Sequence, residues 1–272
     1  MDSVLDNLRA VQMHCVEILE VIDEICRDNN IQYSLTGGSV IGAHLYNGII
    51  PWDDDIDIMM TRDNYEKFLA LCNVKLPQRY QIKNFENGRD RTLMFSKLVD
   101  EETTVVELKS GGKKVVSGIF VDITVMDKVP VRGIKKKVFF MLAKALQCCR
   151  ERNYEPITSI RNVSRNISVF ILKPFSNAIY TEAKRYITKN FSGDYAYAEL
   201  FAGFNICFNK KLFDKYTDIV FEGKKFMIVE DYMSYLETRY GKRDFYKEQR
   251  KGDLPHHLIY VDCENPYSRY QG

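Results

Sequence analysis

The sequence predicts an α+β chain: a mixed sheet flanked by helices, followed by a largely helical second half. Three observations predict it. A single apolar stripe at helical spacing opens the chain, short strand-like runs punctuated by turns fill residues 31–127, and beyond Asp127 basic residues take over at helical spacing.

Residues 3–28 carry Val4, Leu8, Val11, Cys15, Ile18, Ile22 and Ile25 at alternating steps of four and three, with Glu17, Glu20, Asp23 and Glu24 on the opposite side. That is one amphipathic helix. Ile31 to Leu35 reads as a strand, and Gly37-Gly38 permits positive φ or close backbone approach before a short helix from Ser39 to Tyr46. After Asn47-Gly48 turns the chain, Asp57 to Met60 forms a strand, and Thr61 or Asp63 caps a helix through Tyr65, Phe68, Leu69 and Cys72. Pro77 closes that unit. Tyr80–Asn84, Leu93–Val99 and Thr103–Leu108 read as strands, Lys109–Lys114 as a hairpin tip holding Gly111-Gly112, and Gly118–Ile123 as a further strand. Val138, Phe139, Met141, Leu142, Ala145 and Leu146 suggest a basic amphipathic helix, with another near Ile167–Leu172, and short strands and helices return from Phe201. The expected division is 1–128 as catalytic core, 129–200 as a basic helical insertion, and 201–272 as the part that completes the catalytic domain.

Composition narrows the function class. Hydrophobic content of 45% with 28% charged residues is that of a folded globular chain. A net charge of +2 is too small to indicate a nucleic-acid partner. No apolar run approaches the roughly 18 to 20 residues of a membrane span, and Met1-Asp2-Ser3-Val4 lacks the basic start of a signal peptide, so a cytoplasmic location is expected. The seven cysteines form no CxxC pair, which argues against a zinc knuckle or a thioredoxin-type redox site.

The chemistry concentrates at Pro51-Trp52-Asp53-Asp54-Asp55-Ile56-Asp57-Ile58. Side chains two apart on a strand share a face, so Asp55 and Asp57 aim at one spot. Paired carboxylates need a cation, and such hard oxygen ligands suit Mg2+ or Mn2+. Asp122, alone in the apolar run Phe120-Val121-Asp122-Ile123, is costly there unless compensated, and a metal shared with Asp55 and Asp57 would compensate it. An EF-hand loop would need Gly at 58 and Glu at 64, where the chain has Ile58 and Asn64. The plain alternative is a solvated acidic turn beside an unrelated glycine turn. An Asp-x-Asp glycosyltransferase is a further one, although it needs neither the Gly-Gly-Ser turn nor Asp122.

Strand, Gly-Gly-Ser turn, helix, Asp-x-Asp strand and later single-Asp strand together resemble the nucleotidyltransferase superfamily. More closely, Leu35-Thr36-Gly37-Gly38-Ser39-Val40-Ile41-Gly42 with Gly48-Ile49-Ile50-Pro51-Trp52-Asp53-Asp54-Asp55-Ile56-Asp57 resembles the LicD family of phosphocholine transferases, which is related to the fukutin-type ribitol-phosphate transferases. Phe95-Ser96-Lys97-Leu98, Phe120-Val121-Asp122-Ile123, Glu230-Asp231-Tyr232-Met233 and Pro255-His256-His257 are similar to family segments too. The resemblance implies transfer of a substituted phosphate from a CDP-linked donor to a hydroxyl of a cell-surface glycan or its lipid-linked precursor, with release of CMP. Asp55 and Asp57 would hold the metal on the diphosphate, and Asp122 would complete the site and orient or deprotonate the acceptor hydroxyl. Gly38 and Ser39 would meet the donor phosphate. Where family members often carry Arg-His-Lys, this chain has Leu45-Tyr46-Asn47, with His44 one position earlier, which leaves the donor's alcohol open. Transfer of the nucleotidyl group itself, transfer of a sugar, and a binding domain without turnover are the competing readings.

Other candidates for substrate contact are Trp52 by stacking, Asp54 as a supporting carboxylate, Lys97 against phosphate charge, Asp231 at an acceptor pocket, and His256 or His257. Each has a plainer reading: packing for Trp52, solvation for Asp54, a surface strand for Lys97 and a helix cap for Asp231. Adjacent histidines in a strand face opposite ways, so at most one of the two points into a site. The basic segment 132–173 reads as solvated helix faces, as an anionic-acceptor site, or as a peripheral contact with anionic lipid at the inner face of the plasma membrane.

Overall fold

The computed structural model describes residues 2–84, 95–109, 113–141, 194–199, 206–241 and 258–270, with a few residues between 167 and 185. The amphipathic stripe forms α1 (Asp2–Asp28), whose Val11, Cys15, Ile18 and Ile22 are buried in the core. There follow β1 (Ser34–Leu35), α2 (Gly37–Tyr46), β2 (Asp57–Thr61), α3 (Arg62–Lys75), β3 (Tyr80–Lys83), β4 (Ser96–Asp100), β5 (Thr104–Lys109), β6 (Lys113–Ser117) and β7 (Phe120–Pro130). The C-terminal part adds β8 (Tyr195–Ala198), β9 (Cys207–Asn209), β10 (Tyr216–Phe221), β11 (Lys224–Val229), α4 (Tyr232–Tyr240) and β12 (Leu258–Asp262).

The main sheet runs β1-β2-β7-β4-β3, with β8 on the far end of β7 and β9 on β8. It is mixed, because β2 and β7 are parallel and the other pairs antiparallel. The α+β expectation holds. In the parallel pair Asp57 lies opposite Asp122, and in the β4–β7 pair Lys97 lies opposite Asp122. Three charged residues thus occupy one row across three central strands. A second sheet, β12-β5-β6, and the β10–β11 hairpin flank the first, while α1 packs against β7, β4 and β12.

Several boundaries differ from the sequence reading. β1 covers only the last two residues of the expected strand, and α2 starts at Gly37, which φ +59 makes a glycine position. Thr61 occupies the N-cap position of α3 without a side-chain cap bond, and Asp63 instead accepts from Lys128 Nζ at 2.8 Å. β7 runs on to Pro130, well past Ile123. Its Asp127 is fully buried and accepts from Arg62 Nε and an Arg62 terminal nitrogen at 2.8 and 3.0 Å. This bidentate pair ties α3 to the sheet and satisfies a carboxylate that otherwise could not sit there. The predicted hairpin forms as β5–β6, its tip at 110–112 lying outside the described residues, as do residues 93 and 94 of the expected strand.

Gly118 has a purely steric reason. A Cβ there would overlap the Asp100 carbonyl oxygen, because the chain turns into β7 directly over that group. Thr103 locks the crossing: its Oγ1 donates to the Asp100 carbonyl at 3.0 Å and accepts the Ile119 N–H at 2.8 Å.

Candidate active site

Parallel pairing of β2 and β7 brings Asp57 and Asp122 side by side, and the loop entering β2 adds Asp55. One carboxylate oxygen from each of Asp55, Asp57 and Asp122 lies within 4.8 Å of the others, and Asp53, Asp54 and Asp55 form a second such group. The three carboxylates expected to act together are therefore brought together. Such close carboxylates resist ionising together. Burial, then Asp55, Asp122 and Asp53, push the Asp57 carboxyl well above its ordinary range, and Arg239 opposes the shift. Burial, then Asp55 and Asp54, push Asp53 up to about 7. A clustered, partly enclosed set of hard oxygen donors fits a divalent cation of the magnesium or manganese type.

The glycine turn is shaped by these carboxylates. A Cβ on Gly37 would lie 3.0 Å from Asp57 Oδ2, and one on Gly38 would lie 2.9 Å from Asp53 Oδ2. The two glycines let the N-terminus of α2 approach the acid cluster, where its partial positive charge is favourable. Ser39 is buried, and its Oγ accepts the Asp57 N–H at 2.9 Å, so it fixes the first residue of β2. That bond does not consume the Ser39 hydroxyl hydrogen.

The acidic loop is held from outside. Gln12 Nε2 on α1 donates to the Asp53 carbonyl at 2.9 Å. At the β10–β11 turn, Glu222 (φ +53) gives its N–H to the Asn47 carbonyl at 2.8 Å and accepts the Ile49 N–H at 2.9 Å. Arg9 pairs with Glu222 at 2.5 Å. Asn47 is the left-handed C-cap of α2, at φ +52, a conformation that Asn tolerates. Leu45 and Tyr46 are exposed, and Tyr46 meets Trp52 edge-on with ring centroids 5.9 Å apart. Trp52 is half-buried and also packs on the core.

Two site residues escaped the sequence reading. Tyr235 is fully buried on α4; its hydroxyl accepts the Gly37 N–H at 2.9 Å and pairs with Thr36 Oγ1 at 2.5 Å. Its ring stacks on Phe208 with centroids 5.1 Å apart. One turn further along α4, Arg239 is paired with the buried Glu199 at 2.5 Å and lowers the proton affinity of Asp57. Neither residue shows a local motif; the only signal was the helical spacing of four between a tyrosine and an arginine.

The remaining candidates fall in different places. Lys97 is 4% exposed and lies between Asp122 and Glu107, so it is not a surface strand lysine. Asp54 is half-buried within the second acid group. Asp231 is exposed and caps α4, accepting the Ser234 N–H at 3.2 Å. His256 and His257 lie outside the described residues, as does much of the segment 132–173. Among the described residues of that segment, 134–141 are helical, and Ile134 and Met141 are exposed. No helix among the described residues is long and apolar enough to cross a membrane.

Comparison with known proteins gives a consistent picture. Residues 30–169, just over half of the chain, match the family described as LicD/FKTN/FKRP, nucleotidyltransferase domain. The chain is 28% identical over 274 aligned positions to the lipopolysaccharide cholinephosphotransferase LicD of Haemophilus influenzae, covering 93% of this chain and 96% of that protein. A shorter match, 31% identical over 68 residues, is to the uncharacterized protein RT0683 of Rickettsia typhi and covers 25% of this chain and 22% of that one.

Proposed function

The chain belongs to the LicD/FKTN/FKRP nucleotidyltransferase-domain family, and from that premise we propose that it transfers a substituted phosphate, phosphocholine or a close analogue, from a CDP-linked donor to a hydroxyl of a cell-surface glycan or its lipid-linked precursor. The observation that carries this reading is the convergence of Asp55, Asp57 and Asp122 within 4.8 Å beside the N-terminus of α2. The full-length likeness to a cholinephosphotransferase supports the choice of transferred group.

Asp55, Asp57 and Asp122 are the residues that would hold a magnesium or manganese ion. That ion, when bound, supplies charge neutralisation on a donor diphosphate. The chain's own groups do the rest. The α2 N-terminus offers its partial positive charge and the backbone at Gly38 to the donor phosphate, and Ser39 adds its hydroxyl hydrogen. Asp122 takes the proton of the acceptor hydroxyl. The acceptor oxygen then bonds to the phosphorus bearing the choline-like alcohol, the bond from that phosphorus to the bridging oxygen breaks, and CMP departs. Arg239, whose charge already acts on Asp57, adds positive potential on the α4 side.

A thermal-shift panel of CDP-linked donors, each with and without magnesium, tests donor class. Product analysis tests the reaction. CMP with a phosphodiester on the glycan is expected; a nucleotide or a sugar on the acceptor would refute the proposal. For the basic segment we propose contact with anionic lipid, supported by Ile134 and Met141 standing exposed among Lys135, Lys136 and Lys137 on the 134–141 helix. Equal binding to vesicles with and without anionic lipid would exclude it.

A further inference from the structure

By sequence Lys97 is either a cation for donor phosphate or a surface strand lysine, and the structure encloses it between carboxylates. It stands opposite Asp122 in the β4–β7 register. Its Nζ is 3.4 Å from Asp122 Oδ1 and 3.5 Å from Glu107 Oε1, and it sits 3.0 Å from the centre of the Phe120 ring. The side chains of Lys97 and Glu107 are 5% and 7% exposed. Glu107 comes from β5, in the second sheet, so the ammonium bridges the two sheets. A donor phosphate reaching Lys97 would have to displace a carboxylate from an enclosed site and leave that carboxylate without its cation, at high cost.

We propose that Lys97 and Glu107 are positioning residues that set the net charge and the orientation of Asp122, and through it how tightly a divalent cation is held. The proposal rests on the metal reading above. Lys97 neutralises part of the Asp122 charge and so competes with a metal for that carboxylate. Glu107 draws the same ammonium the other way and limits the competition. Removing either partner therefore moves metal affinity in opposite directions. Without Lys97, Asp122 loses a competing cation and the cluster is one charge more negative. Without Glu107, the ammonium belongs to Asp122 alone. Removing both charges restores the net balance but takes away the lateral anchor of Asp122.

The test is Mn2+ titration of the full chain by calorimetry, with no donor or acceptor present, alongside turnover. Lys97→Met is expected to bind Mn2+ on the order of tenfold more tightly, Glu107→Gln on the order of tenfold more weakly, and the double variant close to wild type. The double variant should nevertheless lose most of its kcat, and Lys97→Arg should recover part of the turnover that Lys97→Met loses. A role confined to holding the two sheets together would shift both single variants the same way, or neither, and either result overturns the proposal. If Lys97→Met does not fold, the pair Glu107→Gln and the double variant decides: weakened binding in the first and near-normal binding in the second sustain the proposal, and any other pattern defeats it. Failure of the metal reading looks different: wild type would not bind Mn2+, or Asp57→Asn would bind it as well as wild type does.

Discussion

Asp57→Asn is expected to raise the thermal stability of the chelator-treated protein while abolishing transfer. The carboxylate oxygens of Asp55, Asp57 and Asp122 come within 4.8 Å of one another. At that separation each ionised pair repels by about 3 kcal/mol at an effective dielectric of about 20. Burial first, and then those neighbours, push the Asp57 carboxyl well above its ordinary range, the direction in which proton binding by the cluster relieves the repulsion. Because the carboxylates share protons, the net cost is below that of a fully ionised pair, about 1 to 3 kcal/mol. An amide removes it, keeps the shape of the side chain, and can donate to a neighbouring carboxylate. For a chain of 272 residues the gain corresponds to a rise of about 2 to 5 °C in melting temperature. Differential scanning calorimetry in chelator, followed by a CMP-release assay with magnesium, measures both halves. An unchanged or lowered melting temperature would refute the electrostatic argument, and a wild-type rate would refute the role given to Asp57. The variant is a stability–function trade-off in one residue.

Three further outcomes follow from the same geometry. The Asp53 carboxyl rises from an ordinary 3.8 to about 7, chiefly through burial and then Asp55 and Asp54; the folded state thus keeps protons that the unfolded chain releases, and stability is lost as pH rises between about 4 and about 7. Chelator-treated protein should melt lower at about pH 8 than at about pH 5, and Mn2+ should remove most of the difference; a melting temperature that climbs with pH across that window would contradict the shift. Tyr235→Phe leaves the Gly37 N–H without its 2.9 Å acceptor, so it should cost about 1 to 3 kcal/mol in denaturant unfolding, with an unchanged midpoint as the contrary result. Gly118→Ala drives a methyl group into the Asp100 carbonyl and should destabilise by about 3 kcal/mol or more; a variant as soluble and stable as wild type would show that the crossing yields.

What the sequence revealed depended on whether the signal was local. The α1 stripe, the β2–α3 unit and the strand carrying Asp122 obey simple periodicities, and their buried faces follow. The acid cluster was legible because clustered carboxylates beside an apolar strand are costly without a cation. The enclosure of Lys97 was not legible because a charge in an alternating strand ordinarily faces water, whereas here two carboxylates and a ring surround it. Gly37 and Gly38 read as a phosphate turn, but the first demand on them is space for the Asp57 and Asp53 carboxylates. The strand read as ending at Ile123 runs on to Pro130, and the partner that lets Asp127 be buried in that extension is Arg62, 65 residues away.

The frame of the site is likewise built by residues distant in sequence. The glycine turn is closed by Tyr235, 198 residues downstream of Gly37, and the loop ahead of the acid cluster is pinned by Glu222, 173 residues downstream of Ile49. Both contacts are hydrogen bonds donated by backbone N–H groups, so the side chains at 37 and 49 carry no sign of them and nothing in the N-terminal sequence announces them. Leu45-Tyr46-Asn47 then acquires a structural meaning: Asn47 ends α2 in a left-handed turn and gives its carbonyl to the Glu222 N–H at 2.8 Å. Arg9 on α1 is paired with Glu222, and Arg239, on the α4 side, is a positive charge that acts on Asp57. Asp53 to Asp57 are therefore encoded in one short motif, whereas Asp122 arrives on β7 and the geometry of the cluster depends on the C-terminal hairpin and α4 being folded against it.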